Sequence, residues 1–265
     1  MKIADLFDHL LIDLDGVVYV GDKPTTGAKE TIATLRALGK SVIFLTNDPR
    51  SSSDEYAEKL QSMEIQATSN EVITSGMAIA LYIKGHYGVN SGKAYVVGSP
   101  ALKDEIKKVG LKLANGEESK KANFVIVGGH PGFNYEEMKL ATIAIRGGAR
   151  FFGTNRDPLF PTSEGLLPAT GAIVASIEFA SGEKAIIAGK PEPIMFEAAK
   201  KLLSSQERIA IIGDRLDTDI AGGKRAGIST ILALSGSTDR DGLSRSQIIP
   251  DYVIDDLRDL LKEKQ

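Results

Sequence analysis

Four short polar clusters, each directly behind an apolar run, hold the residues of this chain whose types and spacing could do chemistry. The first, Asp13-Leu14-Asp15-Gly16, follows His9-Leu10-Leu11-Ile12. Carboxylates two residues apart on an extended chain point the same way, and like charges so close do not both stay ionised without a cation to hold them. Thr46-Asn47-Asp48 closes the run from Ser41, Gly189-Lys190-Pro191 follows Ala185-Ile186-Ile187-Ala188, and Gly213-Asp214-Arg215-Leu216-Asp217-Thr218-Asp219 follows Ile209-Ala210-Ile211-Ile212. Taken singly, each has an ordinary reading: Asp-Gly or Gly-Lys-Pro as a turn, Thr-Asn as a strand end, Asp217 or Asp219 as a helix N-cap. Their recurrence behind four buried strands, where open α/β sheets bind their ligands, is hard to obtain from turn chemistry alone.

Charge sharpens the point. Asp13, Asp15 and Asp214 are expected to converge at one sheet edge with Asp217 and Asp219 nearby, and each carboxylate pair at ~4 Å costs roughly 4 kcal/mol at an effective dielectric of about 20. Lys190 alone cannot offset that. The chain has no cysteine and only three histidines, His9, His86 and His130, so a metal here should be hard and oxygen-bound. Mg²⁺ suits a site that keeps several waters and also holds a phosphate.

The elements that must position these residues read as α/β. Short β-branched runs alternate with amphipathic stretches closed by glycine, as in a chain of βαβ units with a parallel sheet. Thr26 to Leu38 places Ile32, Leu35 and Leu38 on one helical face before Gly39, and Ser52-Ser53-Asp54-Glu55 resembles a capping box. The later runs Ala185 to Ala188, Ile209 to Ile212 and Thr230 to Ala233 are apolar almost throughout, as strands covered on both faces should be. A second set of strand and helix signals lies between about residues 80 and 182, with strands at Ala94 to Val97, Phe124 to Val127 and Arg150 to Gly153. The expected organisation is therefore a core of residues 1–79 and 183–265 interrupted by an inserted α/β module, 80–182. Gly222-Gly223-Lys224-Arg225 lacks the spacing of a phosphate-binding loop and reads as helix surface.

Bulk properties exclude several classes. A net charge of −3 offers no polyanion-binding surface, so nucleic acid is not an expected partner. No stretch approaches the ~20 apolar residues of a membrane span, and the acid at Asp5 interrupts any signal-peptide pattern, which points to the cytoplasm. Self-association is left open.

Taken together, Asp13-Leu14-Asp15-Gly16-Val17-Val18-Tyr19, Leu45-Thr46-Asn47, Gly189-Lys190-Pro191 and Gly213 through Ile220 resemble the haloacid dehalogenase (HAD) superfamily of aspartate-nucleophile phosphohydrolases. The resemblance is to its NagD-type, 4-nitrophenylphosphatase-like branch. It extends through Gly153-Thr154-Asn155-Arg156-Asp157 and Ala226-Gly227-Ile228-Ser229-Thr230, and so covers nearly the whole chain. It implies a doubly wound, Rossmann-like core with an α/β cap of the larger type, and a Mg²⁺-dependent phosphomonoesterase acting on a small soluble ester: a sugar, glycolate or nucleotide monophosphate, with 4-nitrophenyl phosphate as generic substrate. By the same resemblance Asp13 is the nucleophile, Asp15 the acid and base, Thr46 a donor to the phosphoryl group and Lys190 its countercharge. The metal is held by Asp13, the Asp15 carbonyl and Asp214, with Asp219 orienting a metal-bound water. Asn47, Asn155, Asp157 and His130 are expected near the substrate, although Gly129-His130-Pro131-Gly132 stands where many of these relatives carry an acid, and the pyridoxal phosphate phosphatases also an aromatic. Asp48, a third acid beside the phosphate site, is expected to point away. The rival readings are a receiver-like phosphoacceptor module and a catalytically idle ligand-binding relative.

Overall fold

The apolar runs pair as strands because each is too short and too β-branched to bury itself as a helix. The structure, a computed structural model, describes residues 1–88, 92–162, 165–203, 205 and 207–263. It divides into two compact units, one of Met1–Thr46, Ser53–Ile73 and Lys190–Gln265, the other of Asn47–Ser52 and Thr74–Gly189.

The first unit is built on a six-stranded sheet in the order Tyr252–Ile254, Ser229–Ala233, Ile209–Gly213, His9–Asp13, Ser41–Thr46, Val72–Thr74. The pairs from Tyr252–Ile254 through Ser41–Thr46 are all parallel. From His9–Asp13 the chain winds first to one side, through Ser41–Thr46, and much later to the other, through Ile209–Gly213. The strand order therefore reverses at His9–Asp13, which opens a crevice at its carboxyl end. Leu10, Ile12, Phe44, Ile212 and Ile231 form the buried centre, with Leu35 and Leu60 packed on it from the helices Ala28–Ala37 and Ser53–Ser62.

Gly222 and Gly223 differ from the surface expected of them. Both are buried in the short helix Ala221–Arg225: a Cβ on Gly223 would lie 2.4 Å from the Ile211 side chain, so this residue lets the helix lie directly on the sheet, and a Cβ on Gly222 would lie 2.6 Å from the Phe196 ring.

The second unit carries a five-stranded parallel sheet, Ile186–Ile187, Arg150–Gly153, Phe124–Val127, Lys93–Val97, Lys112–Leu113. Its core gathers Val97, Val127, Phe151, Val174 and Ile187. The helix Tyr135–Arg146 begins with a capping box, in which Asn134 accepts from the Glu137 amide at 3.1 Å. The borders at residues 79/80 and 182/183 are corrected accordingly: the helix Ser75–Tyr87 and the strand Ile186–Ile187 both belong to this unit. Ile186 and Ile187 pair with Phe152 and Gly153, not with the first sheet. Ile187 is buried and Ile186 exposed, so this strand is covered on one face and not on both as its apolar run suggested. Among the described residues no helix is long and apolar enough to cross a membrane.

Candidate active site

Asp13 ends the central strand, opposite Leu45 of its neighbour, and Thr46 is the next residue along that neighbour. On the other side Ile12 pairs with Ile212, two residues before Asp214. Parallel register alone thus brings the ends of three strands to the mouth of the crevice. Asp219 joins them from the π-helical turn Leu216–Ile220, which folds back under Gly213; a Cβ on Gly213 would lie 2.1 Å from the Asp219 carboxyl carbon.

Lys190 arrives differently. The chain leaves the second sheet after Ile187 and re-enters the first unit at Lys190, ahead of the helix Pro193–Lys200. Its buried ammonium donates to Asp13 Oδ1 at 2.5 Å and to Asp219 Oδ1 at 2.7 Å. The other Asp219 oxygen accepts from the Arg215 amide at 3.2 Å and the Thr218 hydroxyl at 3.3 Å. Both oxygens of Asp219 therefore accept hydrogen bonds from within the chain.

Asp13, Asp214 and Asp219 each place a carboxylate oxygen within 4.8 Å of the others, and all three are buried. Burial pushes the Asp13 carboxyl well above the usual carboxylate range; Lys190 pulls it down, and Asp219 and Asp214 push it further up. Asp214 is raised for the same first reason, burial, and then by Asp219, against the amide of Ser237. For Lys190, burial works against its charge, but Asp13 and Asp219 outweigh it and hold the ammonium protonated. Three acids face one ammonium, so a further cation is electrostatically welcome.

The donor set fits Mg²⁺. It consists of hard carboxylate oxygens only, and Asp214 Oδ1 is buried without a hydrogen-bond partner, while its Oδ2 accepts from the Ser237 amide at 2.6 Å.

Asp15 is exposed where Asp13 is buried. The strand ends at Asp13, Gly16 turns with φ +82°, and the Asp15 side chain is exposed. The alternation that would have aligned the two carboxylates stops where the strand does.

The remaining expected residues lie in the second unit. The Asn47 amide donates to Asp157 Oδ2 at 3.1 Å, the Asn155 amide to the Asn47 carbonyl at 2.7 Å, and the Asp157 amide to Asn155 Oδ1 at 3.0 Å. These three side chains hold one another and fix the chain immediately after Thr46. His130 is only partly exposed, with Nε2 3.1 Å from Glu137 Oε2. Asp48 is matched by Arg50, whose Nε and NH2 groups both donate to its carboxylate, at 2.9 and 2.7 Å. Sequence reasoning missed Ser235-Gly236-Ser237. The signal was present, since this is a fifth polar cluster one residue beyond a largely buried strand, Ser229–Ala233.

A crevice at the switch point of a parallel sheet, with buried acids gripping one lysine, defines a class of α/β enzyme that handles anionic groups. Residues 10–112 match the family model of the haloacid dehalogenase-like hydrolases, and residues 187–260 that of the HAD-hydrolase-like proteins. An acid sugar phosphatase of Staphylococcus aureus is 33% identical over 254 residues, 96% of each chain. Among solved structures, a glycerol phosphate phosphatase of Mycobacterium tuberculosis in complex with magnesium superposes with TM-score 0.91 at 34% identity, covering 98% of this chain and 78% of that one. A 4-nitrophenylphosphatase of Thermotoga maritima superposes with TM-score 0.91 at 32% identity over 100% of both chains. The chain belongs to the haloacid dehalogenase-like hydrolase family.

Proposed function

We propose that this protein is a Mg²⁺-dependent phosphomonoesterase that hydrolyses a small soluble phosphate ester in the cytoplasm. The observation that carries the reading is the buried Asp13 gripped by Lys190, with the unpartnered Asp214 Oδ1 in the same cluster. The similarity to an acid sugar phosphatase and a glycerol phosphate phosphatase supports sugar and polyol phosphates as the first esters to test.

In this reading an Asp13 carboxylate oxygen attacks phosphorus and the ester oxygen leaves with a proton from Asp15. Water then splits the aspartyl-phosphate, with Asp15 taking the proton back; the exposed position of Asp15 suits a group that meets both leaving group and water. Lys190 stays charged throughout and lowers the cost of bringing a phosphoryl dianion against a carboxylate. Asp219 holds Lys190 in place, and the Thr46 hydroxyl donates to a phosphoryl oxygen. Asp13, Asp214 and the Asp15 carbonyl would hold Mg²⁺, whose charge supplies the remaining electrostatic stabilisation. We assign the choice of leaving group to the second unit, with His130 its candidate residue.

Purified protein should release phosphate catalytically from 4-nitrophenyl phosphate with Mg²⁺, and a panel of sugar, polyol, glycolate and nucleotide monophosphates should separate by kcat/KM. Full activity after exhaustive metal removal would overturn the metal assignment. A single stoichiometric phosphorylation without turnover would favour the phosphoacceptor reading instead.

A further inference from the structure

We infer that the segment Leu234–Ser237 is the device that presents the metal-binding groups, with Ser235 as its positioning residue; the inference rests on the metal reading above. The segment leaves the strand Ser229–Ala233 with the Leu234 amide anchored on the Ile254 carbonyl at 2.9 Å. From there it makes two contacts to two different loops. The Ser235 hydroxyl donates to the Gly16 carbonyl at 2.8 Å, and the Ser237 amide donates to Asp214 Oδ2 at 2.6 Å.

The second contact decides which oxygen of Asp214 is on offer. A carboxylate on a single rotatable bond can present either oxygen, and a charge-assisted bond to a main-chain amide removes that choice. With Oδ2 held, Oδ1 is the oxygen left without a partner, in a side chain that is only 2% exposed. Two glycines make the grip close: a Cβ would stand 2.1 Å from Asp214 Oδ2 if placed on Gly236 and 2.4 Å if placed on Gly16. The carboxylate edge is wedged between two backbones, which leaves it no room to swing.

The first contact extends the same control to the loop after Asp13. The Gly16 amide donates to the Tyr19 carbonyl at 2.8 Å, and the Gly16 carbonyl receives the Ser235 hydroxyl. Both peptide groups flanking Gly16 are thereby oriented, including the one whose carbonyl belongs to Asp15. Gly16 itself sits at φ +82°, open to a residue without a side chain, and would otherwise be a natural pivot. One short segment thus couples two loops far apart in sequence, through the Ser235 hydroxyl to one and the Ser237 amide to the other. A second ligand-holding layer of this kind commonly tunes metal affinity by one to two orders of magnitude.

The test measures Mg²⁺ binding directly, by calorimetric titration of the full chain without substrate, alongside thermal unfolding to confirm folding. Ser235→Ala should weaken Mg²⁺ binding by about fivefold to tenfold, as expected for loss of one hydrogen bond at a constrained site. Ser235→Thr, which keeps the hydroxyl, should restore most of it. Gly236→Ala should weaken it by more than tenfold, because the added methyl must displace the Asp214 carboxylate. In turnover assays the Ser235→Ala defect should shrink as Mg²⁺ is raised to saturation, with the KM for ester unchanged; general damage to the fold would not be rescued in this way. Wild-type Mg²⁺ affinity in folded Ser235→Ala, together with loss of binding in Asp214→Asn, would overturn the inference and leave the metal reading standing. Absence of Mg²⁺ binding by the wild type, or unchanged binding by Asp214→Asn, would overturn both.

Discussion

Asp13 and Lys190 form a pair in which neither side chain is useful alone. Burial and two neighbouring acids hold the Asp13 carboxyl above the usual carboxylate range, and the ammonium 2.5 Å away pulls it back down. Asp13→Asn keeps the shape but removes the proposed nucleophile, so turnover should fall at least about a thousandfold while ester binding persists. Rate measurements paired with equilibrium binding of the ester check this, and near-native turnover would refute the assignment. Lys190→Met keeps most of the volume and strands two buried acids. Unfolding by urea should show a loss of about 3 kcal/mol at neutral pH, since breaking a buried ion pair from one side leaves its desolvation cost unmet.

Between elements, the clearest electrostatic tie outside the site is Glu178 on the helix Thr170–Ser181. It receives Arg156 at 2.6 Å, the Ala185 amide at 2.9 Å and Lys184 at 3.2 Å. The Arg156 hydrogen bond first, against burial, and then the Ala185 and Lys184 bonds bring its carboxyl down to about 2. It therefore joins the helix to the loop carrying Asn155 and Asp157 and to the entry of the strand Ile186–Ile187. A depressed carboxylate contributes stability that is fully present above its unfolded value, 4.5, and is lost as pH falls toward 2. Glu178→Gln should cost about 2 kcal/mol above pH 5. The gap in melting temperature between wild type and variant should close progressively between about pH 4.5 and 2. A gap independent of pH would show that the charge at this position contributes nothing.

At the scale of the molecule, metal binding and folding stability are linked, because only the folded chain gathers the acid cluster. Saturating Mg²⁺ at about a hundred times its dissociation constant adds about 2.7 kcal/mol, roughly 5 °C or more in melting temperature for a chain of this size. Thermal unfolding with and without Mg²⁺ should show that shift in the wild type. In Asp214→Asn the shift should be mostly lost, while the metal-free melting temperature stays level or rises, since one of three mutually repelling acids has been neutralised. An equal Mg²⁺ shift in both proteins would place the ion elsewhere.

The sequence by itself determined the α/β class and the polar clusters at the strand ends, because strand burial and turn chemistry are local properties written in runs of a few residues. Asp13, Thr46, Lys190 and Asp214 were legible for that reason. Other matters depended on pairing and register, which no local run encodes. Ile186-Ile187 reads like any buried strand, and only its partners Phe152 and Gly153 assign it to the second sheet and make Lys190 the point of return to the first unit. Strand alternation was the ground for aligning Asp15 with Asp13, but the strand ends at Asp13, two residues before Asp15, so the rule does not reach it. Asp219 was legible as an acid and not as the partner of Lys190, since a helical turn had to fold beneath Gly213 to bring it there. The grip of Ser237 and Gly236 on Asp214 lies furthest from local pattern: it joins loops from separate strands, and contacts between such loops exist only once the sheet has set their distance.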